Sequence, residues 1–153
     1  MPELSNITNL PGFSPLASRI EDEDRPAFLL AGDEFVVKVA CGPLHSLALT
    51  NKGRLFACGY GDKHALGTAR HRTINEFVEL KVKHSGKVEK VDVGCSSSAY
   101  IAGGRAYITG TVGDRVFENF TNLSVGSEEV VEIKLIEKSV LLLTKRGEVY
   151  QMG

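Results

Sequence analysis

The sequence predicts an all-β protein: a partial β-propeller of about three four-stranded antiparallel blades, with the third blade incomplete. Two observations carry this prediction. A seven-residue phrase with glycine at both ends occurs three times, as GRLFACG at 53–59, GRAYITG at 104–110 and GEVYQMG at 147–153. The first glycines of these phrases are 51 and 43 residues apart, close to the period of about 40–50 residues that is typical of propeller blades.

The units around these phrases are built from strands. Each unit contains apolar runs of four to six residues, rich in Val and Ile and separated by turns, a pattern that favours strands over helices. The stretches INEFVELKV and FENFTNLSV, which follow the first two units, predict a fourth strand in each. The units begin VVKVACGPLHSLALTNKGRLFACG at 36–59, KVEKVDVGCSSSAYIAGGRAYITG at 87–110 and VVEIKLIEKSVLLLTKRGEVYQMG at 130–153.

Glycines mark the hairpin turns between the second and third strands. TNKGR and TKRGE place Gly53 and Gly147 third in a three-residue loop, where a left-handed residue follows a type I turn. AGGR is one residue shorter, and its Gly103-Gly104 pair suits a two-residue primed turn. Because a Cβ atom is costly in a left-handed conformation, Gly53, Gly104 and Gly147 are predicted to be structural turn glycines.

The chain divides into an N-terminal segment and a repeat region. Residues 1–35 carry two basic and seven acidic side chains, and AFLL at 27–30 is a candidate edge strand that could pair with a blade. The repeat region spans residues 36–153, with units near 36–82, 87–125 and 130–153.

The first unit resembles a repeat of the regulator of chromosome condensation family, whose members form seven-bladed propellers. The matching residues are Val39 to Gly42, His45 to Thr50, Gly53 to Gly59, and Leu66-Gly67, and the other two units match by alignment with the first. The loop before Leu66 departs from the family pattern, since Gly61, His64 and Ala65 replace its usual Asn, Gly and Gln. The sequence has no tryptophan, which argues against WD repeats, and a kelch-type propeller ranks second.

Three blades are fewer than half of the ring that the resemblance implies. An open propeller exposes unpaired strand edges and apolar sheet faces. We therefore expect one of three arrangements: a fragment of a longer protein, an assembly of copies, or a partner chain that completes the ring.

The candidate partner-binding residues form a basic loop in KHALGTARHR at 63–72: Lys63, His64, Arg70, His71 and Arg72. Residues 36–90 contain ten basic and four acidic side chains, so this loop could contact an acidic protein surface or phosphates. A solvated loop between strands explains the same residues and is the simpler interpretation.

No catalytic constellation is found, and the sequence predicts neither an enzyme nor a cofactor. His45 aligns with Ser97 and Ser139 in the other units, which predicts a repeated structural hydrogen bond rather than a catalytic histidine. Cys41 and His45 have no second ligand pair nearby in sequence, so no metal site is expected.

The expected function is a non-catalytic protein–protein interaction module or scaffold. The alternative, implied by the resemblance, is guanine-nucleotide exchange on a Ran-like small GTPase. The expected partner is a protein, either a small GTPase or a chain that completes the propeller. The net charge of −1 argues against nucleic acid.

The sequence predicts an intracellular protein, nuclear or cytoplasmic, without a membrane span. The apolar runs FLLAG and SVLLLT are too short to cross a bilayer, and the N-terminus has neither the basic start nor the apolar stretch of a secretion signal. The three cysteines lie in apolar stretches and are predicted to be buried thiols in a reducing compartment.

Overall fold

The computed structural model describes residues 32–61, 65–66, 74–82, 87–123 and 125–153. Eleven strands form three antiparallel sheets of four, four and three strands, and strands adjacent in sequence are neighbours in each sheet. The predicted all-β fold, a partial propeller with an incomplete third blade, is confirmed. The candidate edge strand at 27–30 lies outside the described residues. A search of the described residues found no helix long and apolar enough to cross a membrane.

Each sheet is one blade. Blade 1 contains β1 (Val36–Cys41), β2 (His45–Thr50), β3 (Leu55–Gly59) and β4 (Ile74–Glu79). Blade 2 contains β5 (Val88–Val93), β6 (Ser97–Ala102), β7 (Arg105–Val112) and β8 (Arg115–Leu123). Blade 3 contains β9 (Val130–Ile136), β10 (Ser139–Thr144) and β11 (Val149–Met152).

The hairpins that lead into the third strands have the geometry of glycine turns. In blade 1, Gly53 adopts φ +80° and its amide donates to the Thr50 carbonyl over 2.9 Å. Gly147 adopts φ +88° in the matching turn of blade 3. In blade 2 both Gly103 and Gly104 have positive φ, at +59° and +74°, as a two-residue type I′ turn requires.

The glycine that ends the repeated phrase lies against the start of the second strand. Gly59 adopts φ +114°, and a Cβ atom built on it would lie 2.6 Å from the Leu44 carbonyl oxygen. Gly110 and Gly153 also have positive φ, and a Cβ on either would overlap a carbonyl oxygen, that of Ser96 or Lys138. The third strand therefore approaches the second so closely that only glycine fits.

The blades pack face to face. We call the face of a sheet that points toward the preceding blade its leading face, and the opposite one its trailing face. Because side chains alternate along a strand, each strand contributes to both faces. Two apolar cores fill the interfaces between blades. The first joins Leu47, Leu49, Leu55 and Ala57 of blade 1 to Val91, Val93 and Tyr100 of blade 2. The second joins Ala99, Ile101, Ala106 and Ile108 of blade 2 to Ile133, Val140 and Leu142 of blade 3.

Glycines in the turns between the first and second strands also let neighbouring blades approach each other closely. A Cβ on Gly42 would lie 2.5 Å from the Gly94 carbonyl oxygen of the next blade, and one on Gly94 would lie 3.2 Å from Leu135 Cβ. Beside this contact, the Leu135 amide donates to the Asp92 carboxylate over 2.6 Å. Consecutive blades are thus in direct contact at these turns, where a side chain at Gly42 would overlap the Gly94 carbonyl and one at Gly94 would press on Leu135.

The prediction that the cysteines are buried is wrong for two of the three. Cys41 and Cys95 are exposed and Cys58 is half-buried. Cys41 ends β1 on the leading face of blade 1, where no described blade precedes it, and Cys95 lies in the turn between β5 and β6. The pKa of the Cys58 thiol is raised, mainly by burial and to a smaller extent by the neighbouring Cys41.

Candidate protein-binding surface

The predicted basic loop belongs to the long connection between β3 and β4. Its residues Lys63, His64, Arg70, His71 and Arg72 lie outside the described residues, so their role stays a prediction. Blade 2 has no counterpart to this loop, because a two-residue turn joins Val112 of β7 directly to Arg115 of β8.

The trailing face of blade 3 is an exposed apolar sheet surface. Leu143 of β10 pairs with Val149 of β11, and Leu141 lies two residues away on the same face. Leu143 and Val149 are 36% and 65% exposed. The side chains at the same positions of the first two blades are at most 3% exposed, since the next blade covers them: Leu49 and Leu55 in blade 1, Ile101 and Ala106 in blade 2.

Two residues make this face unlike the trailing faces of blades 1 and 2. Ile136, which is 52% exposed, occupies the position that Gly42 and Gly94 hold where consecutive blades touch. Gln151 occupies the position of the buried Ala57 and Ile108. A further blade could not approach Ile136 as closely as the next blades approach Gly42 and Gly94.

These residues are not among the sites predicted from the sequence. The signal was present in the alignment of the three units, where the glycine before the second strand is replaced by Ile136. Recognising it required knowing that this glycine touches the next blade, which only the structure shows.

A second exposed apolar area lies on the leading side of blade 1. Val39 and Leu44 are 62% and 50% exposed there. The middle of that face is closed, however, since Ala48 and Phe56 are fully buried and pack with Val36 and Phe77. The trailing face of blade 3 is therefore the more open of the two sheet faces.

His45 connects blade 1 to blade 2. Its Nε2 lies 3.1 Å from the Ser97 carbonyl oxygen and 2.8 Å from Ser98 Oγ. Ser98 Oγ in turn donates to the Ala65 carbonyl oxygen, which belongs to the β3–β4 connection. His45 therefore makes a structural hydrogen bond between blades 1 and 2. Among the described residues, its counterparts Ser97 and Ser139 make no side-chain hydrogen bond to a neighbouring blade.

These bonds determine the tautomer of His45. Ser98 uses its only hydroxyl hydrogen on Ala65, so it must accept from His45, and Nε2 carries the imidazole hydrogen. Among the described residues, the other ring nitrogen, Nδ1, is buried without a hydrogen-bond partner. Burial lowers the pKa of His45, and the bond to the Ser97 carbonyl only partly opposes this. His45 is thus a neutral donor. Among the described residues, no three His, Cys, Asp or Glu side chains are grouped so that they could hold a metal ion.

Arg54 stabilises blade 1 through two ion pairs. Its guanidinium contacts Glu34 at 2.7 Å and Glu79 at 2.6 Å, and Thr50 Oγ1 also donates to Glu34 over 2.8 Å. The Glu34 side chain is only 1% exposed. The Glu79 hydrogen bond, more than that of Glu34, raises the pKa of Arg54. This network joins the residues before β1, the β2–β3 hairpin and β4.

The sequence profile of the regulator of chromosome condensation (RCC1) repeat matches residues 36–67. Similar curated proteins include the RCC1 domain-containing protein RUG3, mitochondrial, of Arabidopsis thaliana, which is 29% identical over 147 residues and covers 95% of this chain. The human regulator of chromosome condensation is 25% identical over 149 residues and covers 90% of this chain. The chain spans 29% and 35% of these two relatives.

Solved structures share the fold. The crystal structure of human WBSCR16 superposes with a TM-score of 0.71 at 24% identity, covering 79% of this chain and 33% of that one. The structure of Prp20p from Saccharomyces cerevisiae superposes with a TM-score of 0.67 at 17% identity, covering 77% of this chain and 32% of that one. Prp20p is described as binding Gsp1p and histones.

Proposed function

The three blades are built from repeats of the regulator of chromosome condensation type, and we propose that the chain serves as a non-catalytic protein-binding module. The observation that carries the proposal is the open trailing face of blade 3. Leu141, Leu143 and Val149 present there the apolar surface that blades 1 and 2 bury against a neighbour. Exposed apolar patches of this kind are typical of protein interaction sites.

The binding contribution of this face can be estimated. Full burial of a Leu or Val side chain is worth about 1.5–3 kcal/mol, and both side chains are already partly buried in the free chain. Removing the apolar contact at both positions should therefore weaken the binding of a partner by at least about 1.4 kcal/mol, which is about tenfold in the dissociation constant.

The test compares Leu143→Asp/Val149→Asp with Val116→Asp. Val116 is an exposed apolar side chain in blade 2, 57% accessible, so its substitution makes the same chemical change away from the trailing face. Partners retained by the wild-type chain are identified in cell extract, purified, and their binding measured by titration. We expect the double variant to lose at least tenfold in affinity and Val116→Asp to keep it. Equal affinity for all three proteins would refute the proposed surface.

The basic loop supplies a second contact in this proposal. Lys63, Arg70 and Arg72 would meet acidic groups on the partner, so their joint substitution by alanine should weaken binding more at low salt than at high salt. A loss that does not depend on salt would contradict a charge contact.

Guanine-nucleotide exchange on a Ran-like GTPase is the second candidate. It is supported by the similarity to the human regulator of chromosome condensation and by the binding of Prp20p to Gsp1p. The chain spans about a third of these relatives, so exchange is the weaker proposal. Fluorescent nucleotide release from Gsp1p distinguishes the two: we expect no acceleration, and a clear acceleration would replace the binding-only function.

The proposed compartment is intracellular, nuclear or cytoplasmic. The name of the Arabidopsis relative places that protein in the mitochondrion, so imaging of the tagged chain should use nuclear and mitochondrial markers together. Co-localisation with the mitochondrial marker would contradict the proposed compartment.

A further inference from the structure

A chain of hydrogen bonds runs from blade 1 through blade 2 and back to the β3–β4 connection of blade 1. His45 Nε2 donates to Ser98 Oγ over 2.8 Å, and Ser98 in turn donates to the Ala65 carbonyl oxygen. His45, Ser98 and Ala65 are at most 3% exposed. Water therefore does not substitute for these bonds while the interface is closed.

The connection reaches the interface at Ala65 and Leu66. Leu66 is fully buried and belongs to the apolar core between blades 1 and 2. Its neighbour Ala65 is held by the bond from Ser98. This part of the connection is thus anchored by an apolar side chain and by a hydrogen bond that continues to His45.

The chain of bonds requires a neutral His45. Nε2 carries the imidazole hydrogen, and protonation would add a second hydrogen at Nδ1. Among the described residues, Nδ1 is buried with no group to accept that hydrogen. A buried cationic donor without a partner is strongly unfavourable, so the imidazolium is stable only where the ring reaches water.

The titratable groups on the strands beside His45 in its own sheet lie away from its ring. Cys41 of β1 and Cys58 of β3 both pair with Ser46, so they lie on the opposite face of blade 1 from His45. Lys38 of β1 pairs near the other end of β2. None of these three groups therefore faces the imidazole.

In blade 2 the groups that face His45 are neutral. Lys90 and Asp92 of β5 bond to blade 3 instead, and Cys95 is exposed in the turn before β6. Tyr100 of β6 faces blade 1, and burial raises its pKa, so its phenol stays neutral. The titratable side chains that precede Ala65 in sequence lie outside the described residues: Asp62, Lys63 and His64.

The geometry points to His45 as a proton-controlled latch on the β3–β4 connection. The neutral ring holds Ser98, and through it Ala65, against the interface. On protonation the ring turns to water, Ser98 loses its donor, and Ala65 and Leu66 separate from blade 2 while the strands stay paired. This inference goes beyond the proposed function, because it concerns how the connection is held and not which surface binds a partner.

Proton linkage sets the size of the effect. In the open state His45 has the ordinary pKa of about 6.5, whereas the closed state disfavours the proton. Opening is therefore favoured as the pH falls, and between pH 7.5 and 5.5 the opening constant should rise by at most about tenfold. We expect a rise of about three- to tenfold.

Native-state hydrogen exchange of the full chain at pH 7.5 and 5.5 measures this opening. Rates at the Ala65 and Leu66 amides are divided by the intrinsic rate of an unstructured amide at each pH. The slowest amides of the β9–β10 hairpin report global unfolding. A local opening exposes little surface, so low concentrations of urea should accelerate the hairpin amides but not those of Ala65 and Leu66.

Two variants test the connection between the proton and the loop. His45→Gln keeps a side-chain N–H donor but does not titrate, so its corrected rates should agree within twofold at the two pH values. Ser98→Ala removes the bond to Ala65 and should give faster exchange at pH 7.5 with less than twofold further change at pH 5.5. Ser139→Ala, at the counterpart of His45 in blade 3, is the control and should keep the wild-type response.

Three results would overturn the inference. One is a corrected rate at Ala65 and Leu66 that does not change with pH in the wild-type chain. Another is a pH response that persists in Ser98→Ala, which decides the question even if His45→Gln does not fold. The third is an acceleration at pH 5.5 with the urea dependence of the hairpin amides, because the whole chain would then be unfolding.

Discussion

In blade 2, the glycine that ends the repeated phrase should be far less tolerant of substitution than the first glycine of the Gly103-Gly104 turn. Gly103 and Gly110 flank the same strand of blade 2, and both have positive φ, +59° and +99°. A Cβ on Gly103 meets nothing within 4 Å, whereas one on Gly110 overlaps the Ser96 carbonyl and lies 2.7 Å from Ser97 Cα. Substituting alanine at both positions therefore separates the cost of the backbone conformation from the cost of the close approach.

The expected losses of stability follow from these two contributions. A left-handed alanine costs about 1–2 kcal/mol, offset by about 0.4–1 kcal/mol from the stiffer unfolded chain, so Gly103→Ala should lose about 1 kcal/mol. Gly110→Ala adds an overpacking cost of about 1–3 kcal/mol, because backbone rather than a flexible side chain must move. Its total loss should be about 2–4 kcal/mol.

Urea unfolding followed by far-ultraviolet circular dichroism measures both losses. The midpoints give the free energy of unfolding when the slopes of the transitions agree between variants. Equal losses for Gly103→Ala and Gly110→Ala would refute the close approach as the reason for the final glycine of the phrase.

Two further predictions concern polar contacts. Because burial lowers the pKa of His45, the unfolded state binds more protons, and the wild-type chain should lose stability as the pH falls through about 6.5. His45→Gln should lessen that loss, as measured by urea unfolding at pH 7.5 and 5.5. An unchanged pH dependence in His45→Gln would contradict this prediction. Arg54→Met leaves the buried Glu34 carboxylate without its guanidinium and should cost about 2–3 kcal/mol, toward the low end for a buried pair because Arg54 is partly exposed. Lys52→Met, which removes the exposed contact with Asp33, is the matched control and should leave the urea midpoint unchanged; a similar loss in both variants would count against a special role for Arg54.

The blade architecture could be predicted from the sequence because its determinants are local. A hairpin turn is specified by a few adjacent residues, and TNKGR, AGGR and TKRGE each contain the glycine that their loop length requires. The fourth strands at Ile74–Glu79 and Arg115–Leu123 were likewise readable as short apolar stretches after each phrase.

The candidate surfaces could not be predicted because they depend on contacts between distant residues. His45 bonds to Ser98, 53 residues away, and no local pattern reports such a pairing. Ile136 is an ordinary apolar residue until its counterparts Gly42 and Gly94 are seen to touch the following blade.

The burial of Tyr100 gives the protein an optical reporter of its own. Its ring stacks on Tyr107 at 5.0 Å in the core between blades 1 and 2, and burial, more than the neighbouring phenol, raises its pKa well above the usual range. With no tryptophan in the chain, tyrosine dominates the near-ultraviolet spectrum. In an alkaline pH titration, the phenolate absorbance of Tyr100 should therefore appear only at the pH where these two blades separate. That interface can then be followed without any added label.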